Sequence, residues 1–213
     1  MAADRPRVLL NCALSVDGKI ALPNRQLVRI SSPPDWQRVH ELRAHADAVL
    51  VGIGTILADD PSLLVDTELV PTQRQPLRVV LDSHGRIPPR SRVLQGGAPT
   101  LVAVAHGGNT AIAGAEVVVC GQGRVALTPL LQNLRDRGIR TVLVEGGEEV
   151  NWSFLRGGIF DELTIFVGSL VIGGRGPTLA GGSGIHAIEA AIALKLIDAV
   201  PTQGGVLLRY QPA

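Results

Sequence analysis

Short apolar runs separated by polar or glycine-rich breaks recur along the chain. The first, residues 8–14, is broken by Ser15-Val16-Asp17-Gly18-Lys19. Residues 48–51, 77–81, 100–105, 116–120, 141–144 and 162–167 are further runs of strand length. Continuous rather than alternating apolar residues mark strands buried on both faces, as in a parallel sheet. Helical spacing falls between them. Ser31-Ser32-Pro33-Pro34-Asp35 supplies caps and an early helical proline ahead of Trp36, Val39, His40 and Arg43. Residues 52–60 turn into a brief helix that Pro61 stops. Residues 128–137 place Leu130, Leu131 and Leu134 on one face, with Gly138 as the C-terminal cap. A last helix follows Gly146-Gly147 and runs through Leu155. Residues 21–32 and 66–76 lack periodicity and read as loops, and the glycine-rich residues 173–184 as flexible or turning. Residues 191–200 and 206–210, joined across Gly204-Gly205, form a closing antiparallel pair. The expectation is one α/β domain over residues 1–213, mostly parallel with an antiparallel edge.

Chemistry is expected where strands end. Leu143-Val144-Glu145-Gly146-Gly147 breaks a buried strand at two glycines before a helix, which leaves backbone N–H groups for a phosphate or pyrophosphate. Gly52-Ile53-Gly54-Thr55 and Asp82-Ser83 end two other strands in the same way. In an open sheet such tips line one crevice, which one dinucleotide can span. Position 57 is Leu, so Gly52-Ile53-Gly54 is no G-x-G-x-x-G fingerprint. Each candidate has a plainer alternative: Thr55 and Ser83 as cap and turn residues, Asp17 as a turn former, Lys19 as a solvated surface lysine. Arg43, on the inner side of its helix, wants an anion or a salt bridge to a neighbour such as Asp47. His40 reads as a partly buried helix residue.

Composition narrows the classes. Apolar residues make up 46%, charged residues 18% and aromatics only 3%, so Val, Leu, Ile and Ala must build the core. A net charge of +1 gives no bulk attraction to nucleic acid or an acidic membrane. No apolar run reaches membrane-spanning length, no signal peptide opens the chain, and no Cys/His group has zinc spacing. Cys12 and Cys120 sit in apolar runs as core thiols of a reducing compartment, and a cytoplasmic protein is expected. There is no Ser/His/Asp signature, Walker sequence or metal set. Hydride transfer suits so few acid–base groups, because the cofactor carries the hard chemistry.

The chain resembles the riboflavin-biosynthesis reductases of the dihydrofolate-reductase-like fold (RibD C-terminal-domain-like) over nearly its whole length. The resemblance is carried by Leu14-Ser15-Val16-Asp17-Gly18-Lys19-Ile20-Ala21, by Val39-His40-Glu41-Leu42-Arg43-Ala44 with residues 48–61, by Arg78-Val79-Val80-Leu81-Asp82-Ser83, and by Leu143-Val144-Glu145-Gly146-Gly147. Length and Ile30-Ser31-Ser32 are most like the archaeal type. The resemblance implies helices on both faces of the sheet, NADPH as hydride donor, a phosphorylated ribosylaminopyrimidine substrate in diamino or deaminated form, and a homodimer. By motif position, Ala13, Thr55, Asp59, Ser83, Gly146 and Gly147 would contact the cofactor. Asp17, Lys19, Arg43 and Glu145 would face the substrate, with no general acid assigned. Arg86, just past Ser83, is expected to grip the 2′-phosphate. Two positions depart from the fused bacterial enzymes: Asp66 stands where they carry arginine, and Arg29 where they carry tryptophan. The deaminase signature H-x-E…P-C-x-x-C is missing. A reductase of the same fold with a pterin-like substrate, or a non-catalytic dimeric nucleotide-binding protein, are the competing expectations.

Overall fold

In the computed structural model, residues 5–26 and 28–213 are described. The strands are β1 (Arg7–Ser15), β2 (Ala48–Gly52), β3 (Leu77–Leu81), β4 (Thr100–His106), β5 (Glu116–Gln122), β6 (Thr141–Val144), β7 (Glu162–Gly168), β8 (Leu194–Thr202) and β9 (Gly205–Pro212). The helices are α1 (Pro33–His45), α2 (Ile53–Asp59), α3 (Leu127–Asp136) and α4 (Glu148–Arg156). Two compact units emerge, one built on Val39–Leu143, the other on Val8–Arg38 with Val144–Ala213.

The first unit orders its strands β5-β4-β3-β2-β6. β2 runs parallel to β3, β3 to β4 and β4 to β5. All five residues of β2 are buried, which explains its unbroken apolar run. The buried Leu130, Leu131 and Leu134 of α3 are the face that helical spacing predicts. Arg78 is the exception in β3, a charged side chain only 1% exposed. Its guanidinium donates to the carbonyls of Gln95 (2.9 Å), Ala98, Arg92 (3.4 Å), Gly96 (3.4 Å) and Ser62 (3.5 Å). The fork thus gathers the 3-10 turn Arg92–Leu94 and the loop after it. Burial pulls its pKa down from the ordinary arginine value.

The second unit orders its strands β1-β7-β9-β8. β1 and β7 are parallel, while β7–β9 and β8–β9 are antiparallel. The expected closing hairpin is present, turning at Gly204 with φ +81°. Phe166 of β7 is fully buried.

Residues 173–184 are turning, as their glycines predict, yet they are not a free connector. The Lys19–Thr178 bridge and the Ile20 N–H on the Pro177 carbonyl (2.9 Å) tie them to the segment after β1. Gly181 N–H donates to the Glu148 carbonyl (3.0 Å) and Gly182 N–H to Glu149 Oε1 (2.9 Å). A Cβ at Gly182 would lie 2.1 Å from the Trp152 ring, so glycine is what lets the strap close on α4. Local composition registers the glycines but not their distant partners.

Candidate active site

In the first unit, the candidate residues follow the carboxyl ends of neighbouring parallel strands. β2 ends at Gly52, and α2 places Thr55 in its first turn, half-buried. The helix stops at Asp60, whose αL conformation (φ 40°) lets its N–H reach the Ile56 carbonyl, one residue before Pro61. Asp59 Oδ1 is buried without a hydrogen-bond partner, and burial raises the carboxyl pKa above its ordinary value. A buried acceptor in that state wants a hydroxyl or amide donor. Ser83 follows β3, so Thr55 and Ser83 share one edge of this unit, as the strand-tip pattern requires. The Ser83 hydroxyl accepts the Val125 N–H (3.0 Å), tying the β3 tip to the β5 tip. Arg86 is exposed, with Nε 3.7 Å from Asp82 Oδ1.

Arg43 is 7% exposed, on the inner side of α1 as expected, and Nη1 donates to the Leu64 carbonyl (3.1 Å). Asp47 takes Arg74 as its ion-pair partner instead (2.7 Å). Around Leu64, Gln75 brackets Val65 with two hydrogen bonds, and His40 Nδ1 accepts the Asp66 N–H (2.9 Å). His40, 4% exposed, is therefore a buried scaffold residue. Leu63 sits at φ +57° and is 1% exposed. Asp66 uses its carboxylate to accept the Glu68 N–H (3.0 Å), capping its own turn.

In the second unit, Ala13 lies in β1, and Asp17 and Lys19 follow the strand. Asp17 is exposed, but its carboxylate is occupied. Oδ1 accepts the Ser15 hydroxyl (2.7 Å) and the Ile172 N–H (3.0 Å), and Oδ2 accepts the Gly173 N–H (2.7 Å). Those bonds, that to Ile172 first, hold the pKa down at about 2. Lys19 N–H donates to the buried Ser15 hydroxyl (2.9 Å). Glu145 is half-buried and begins the turn into α4. Gly146 and Gly147 hold φ +58° and +93°, values only glycine takes without strain. A Cβ on Gly146 would meet Asn151 Oδ1 at 2.2 Å.

Sequence reasoning missed four side chains here and in the first unit. Asn151, 2% exposed, donates Nδ2–H to the Leu179 carbonyl (3.0 Å) and leaves Oδ1 buried without a partner. Glu148 receives Arg25 (2.9 Å) and the Thr178 N–H (3.4 Å). Trp152 meets the strap at Gly182. Arg78 alone had a legible signal, an arginine inside an apolar strand.

The model of the RibD C-terminal domain matches residues 6–208. The chain belongs to the RibD C-terminal domain family. Within it, the chain is 43% identical over 198 residues to the 2,5-diamino-6-ribosylamino-4(3H)-pyrimidinone 5′-phosphate reductase of Methanothermobacter thermautotrophicus, covering 90% of this chain and 91% of the relative. The Archaeoglobus fulgidus protein of the same name is 42% identical over 196 residues (84% and 87% of the two chains). Among solved structures, Acinetobacter baumannii RibD aligns over the whole chain at TM-score 0.86 and 28% identity, and this chain spans 60% of its length. Enterococcus faecalis dihydrofolate reductase aligns over 97% of this chain and 96% of its own at TM-score 0.56 and 13% identity, a likeness of fold alone. The α/β, dihydrofolate-reductase-like architecture expected from the motifs is the one observed.

Proposed function

We propose that this chain reduces the ribosylamino side chain of 2,5-diamino-6-ribosylamino-4(3H)-pyrimidinone 5′-phosphate to the ribitylamino form, with NADPH as reductant, in riboflavin biosynthesis. The observation that carries this reading is end-to-end similarity to reductases of that name, over 90% of this chain and 91% of the relative. The residues present suit a reduced nicotinamide cofactor, which supplies the hydride. Asp59 offers a buried acceptor without a donor, and Gly146 and Gly147 hold positive φ in the turn that precedes α4. Thr55, Asp59, Ser83 and Arg86 are assigned to the cofactor in the first unit, and Ala13, Gly146 and Gly147 in the second.

Glu145 would accept hydrogen bonds from the pyrimidine amino groups, and Arg43 and Lys19 would supply positive charge for the 5′-phosphate. In the open imine form of the sugar, the former anomeric carbon gains a hydride and the nitrogen gains a proton, giving the secondary amine. Water or the substrate delivers that proton, since no side chain stands out as general acid. Asp17 enters as the group that sets the Ile172–Gly173 turn, its oxygens already accepting three protein donors.

A homodimer and a cytoplasmic location complete the reading. Leu196, Ile197 and Val200 of β8, the end strand of its order, are 52%, 42% and 47% exposed, an apolar edge suited to a second copy. Phe166 of β7, by contrast, is fully buried in the core. Among the described residues, no helix is long and apolar enough to cross a membrane.

The deciding assay mixes purified protein, NADPH and the diamino ribosylaminopyrimidine phosphate and follows loss of the reduced-nicotinamide absorbance. Turnover is expected. A flat trace from folded protein, or turnover of 5-amino-6-(5-phosphoribosylamino)uracil alone, would overturn the assignment.

A further inference from the structure

We infer that Arg25 is a positioning residue for the cofactor: together with strap residues 178–182 it draws the carboxylates of Glu148 and Glu149 aside from the first turn of α4, leaving that turn's N–H groups to the cofactor's diphosphate. This rests on the nicotinamide reading above and names what keeps an acidic helix start able to take an anion.

α4 begins with two acids, Glu148 and Glu149. Carboxylates in a first helical turn are drawn to the unpaired N–H groups there, so they compete with an anionic ligand for those donors and repel it. The observed contacts prevent both. Glu148 Oε1 meets Arg25 Nη2 (2.9 Å), and Oε2 accepts the Thr178 N–H (3.4 Å). Glu149 Oε1 accepts the Gly182 N–H (2.9 Å). Gly147 is the N-cap, and no side chain caps the turn. Among the described residues, the N–H groups of Glu148, Glu149 and Val150 meet no acceptor.

The arrangement is built from several sides. Arg25 holds φ +66°, a left-handed conformation strained for arginine, in a turn where the Leu22 N–H donates to the Gln26 carbonyl (3.2 Å). The strained residue is the one whose guanidinium reaches α4, 123 positions along the chain. Gly181 is required as well. A Cβ there would lie 2.8 Å from Glu148 Cγ and 3.1 Å from Glu149 Oε1, so only bare backbone lets the strap press on both side chains. Asn151, 2% exposed, fixes the strap by donating to the Leu179 carbonyl (3.0 Å). Its Oδ1, buried without a partner, is the atom that a Cβ on Gly146 would meet, so one side chain backs both the strap and the glycine turn. The Arg25 side chain is 68% exposed, and an ion pair so open to solvent adds little to folding. The Glu148 side chain is only 17% exposed, so without Arg25 its charge would rest on one long N–H bond beside the open helix start.

Calorimetric titration with NADPH tests this without any turnover. Arg25→Gln should weaken binding about fivefold or more at low salt, the effect of one unpaired charge acting over several ångströms near the surface, and the loss should shrink in about 0.5 M salt. Arg25→Lys, which keeps the charge, should stay within about twofold of the parent. The decisive variant combines Arg25→Gln with Glu148→Gln. It should bind within about twofold of the parent, because the charge that Arg25 restrains is gone, a rescue that a merely structural contact would not show. An unchanged urea midpoint would verify folding of each variant. Affinity unmoved by Arg25→Gln would overturn the inference. So would a loss that persists in the double variant, because Arg25 would then meet the anion itself. An equal loss in Glu148→Gln alone would also overturn it, since the pair and not the displaced charge would matter. The expected binding pattern without oxidation by the diamino ribosylaminopyrimidine phosphate would sink the proposed reaction and leave the role of Arg25 standing.

Discussion

Gly146→Ala probes the turn into α4 most sharply. The added Cβ would stand 2.2 Å from Asn151 Oδ1, so the amide must retreat by about 1 Å. That side chain is 2% exposed and bonds the Leu179 carbonyl at 3.0 Å, so retreat breaks a buried bond. Losing the bond and stranding its carbonyl costs about 1–3 kcal/mol. Holding alanine at φ +58° adds about 1–2 kcal/mol. Gly146→Ala should therefore destabilise by about 3–4 kcal/mol. In an Asn151→Ala background the obstacle is gone and only the backbone cost of about 1–2 kcal/mol remains. Urea unfolding of all four proteins, read by tryptophan fluorescence, gives the coupling energy as a double-mutant cycle, expected near 2 kcal/mol. Additivity within about 0.5 kcal/mol would refute the reasoning, because Asn151 would then not be what the methyl meets.

Other consequences are as direct. Arg78→Met should lower stability by about 3–5 kcal/mol in urea, since it strips buried carbonyls of a charged donor, and a loss below about 1 kcal/mol would show that those carbonyls find other partners. The Asp17 carboxyl has a pKa of about 2 against an ordinary value of 3.8, so its contribution is fully present above pH 3.8 and disappears as pH falls through about 2. The stability gap between wild type and Asp17→Asn should close over that window; a gap unchanged from pH 5 to 2 would contradict it. At neutral pH the same variant should speed tryptic cleavage after the exposed Arg175, two residues beyond the Gly173 amide that Asp17 holds. Gly182→Ala, whose Cβ would overlap the Trp152 ring at 2.1 Å, should shift the tryptophan emission and loosen the same strap; an unmoved spectrum would count against that contact.

The sequence by itself determined the strands and most of the helices, because each is a local matter of apolar run, spacing and cap. β2 reads as buried because it has no polar residue to expose, and α3 because its leucines recur on one face. The glycines after β6 were equally legible, since positive φ is a property of the residue itself. What each polar side chain does was decided only by tertiary structure. Asp17 and Gly173 are far apart in the chain, yet one oxygen of the first takes the amide of the second. Asn151 becomes the wall behind Gly146 only when α4 turns it inward, and Val125 reaches the Ser83 hydroxyl only when β5 pairs with β4. Hydrogen bonds and charge act over a few ångströms of space, and sequence spacing carries no measure of that distance until the strands are laid side by side.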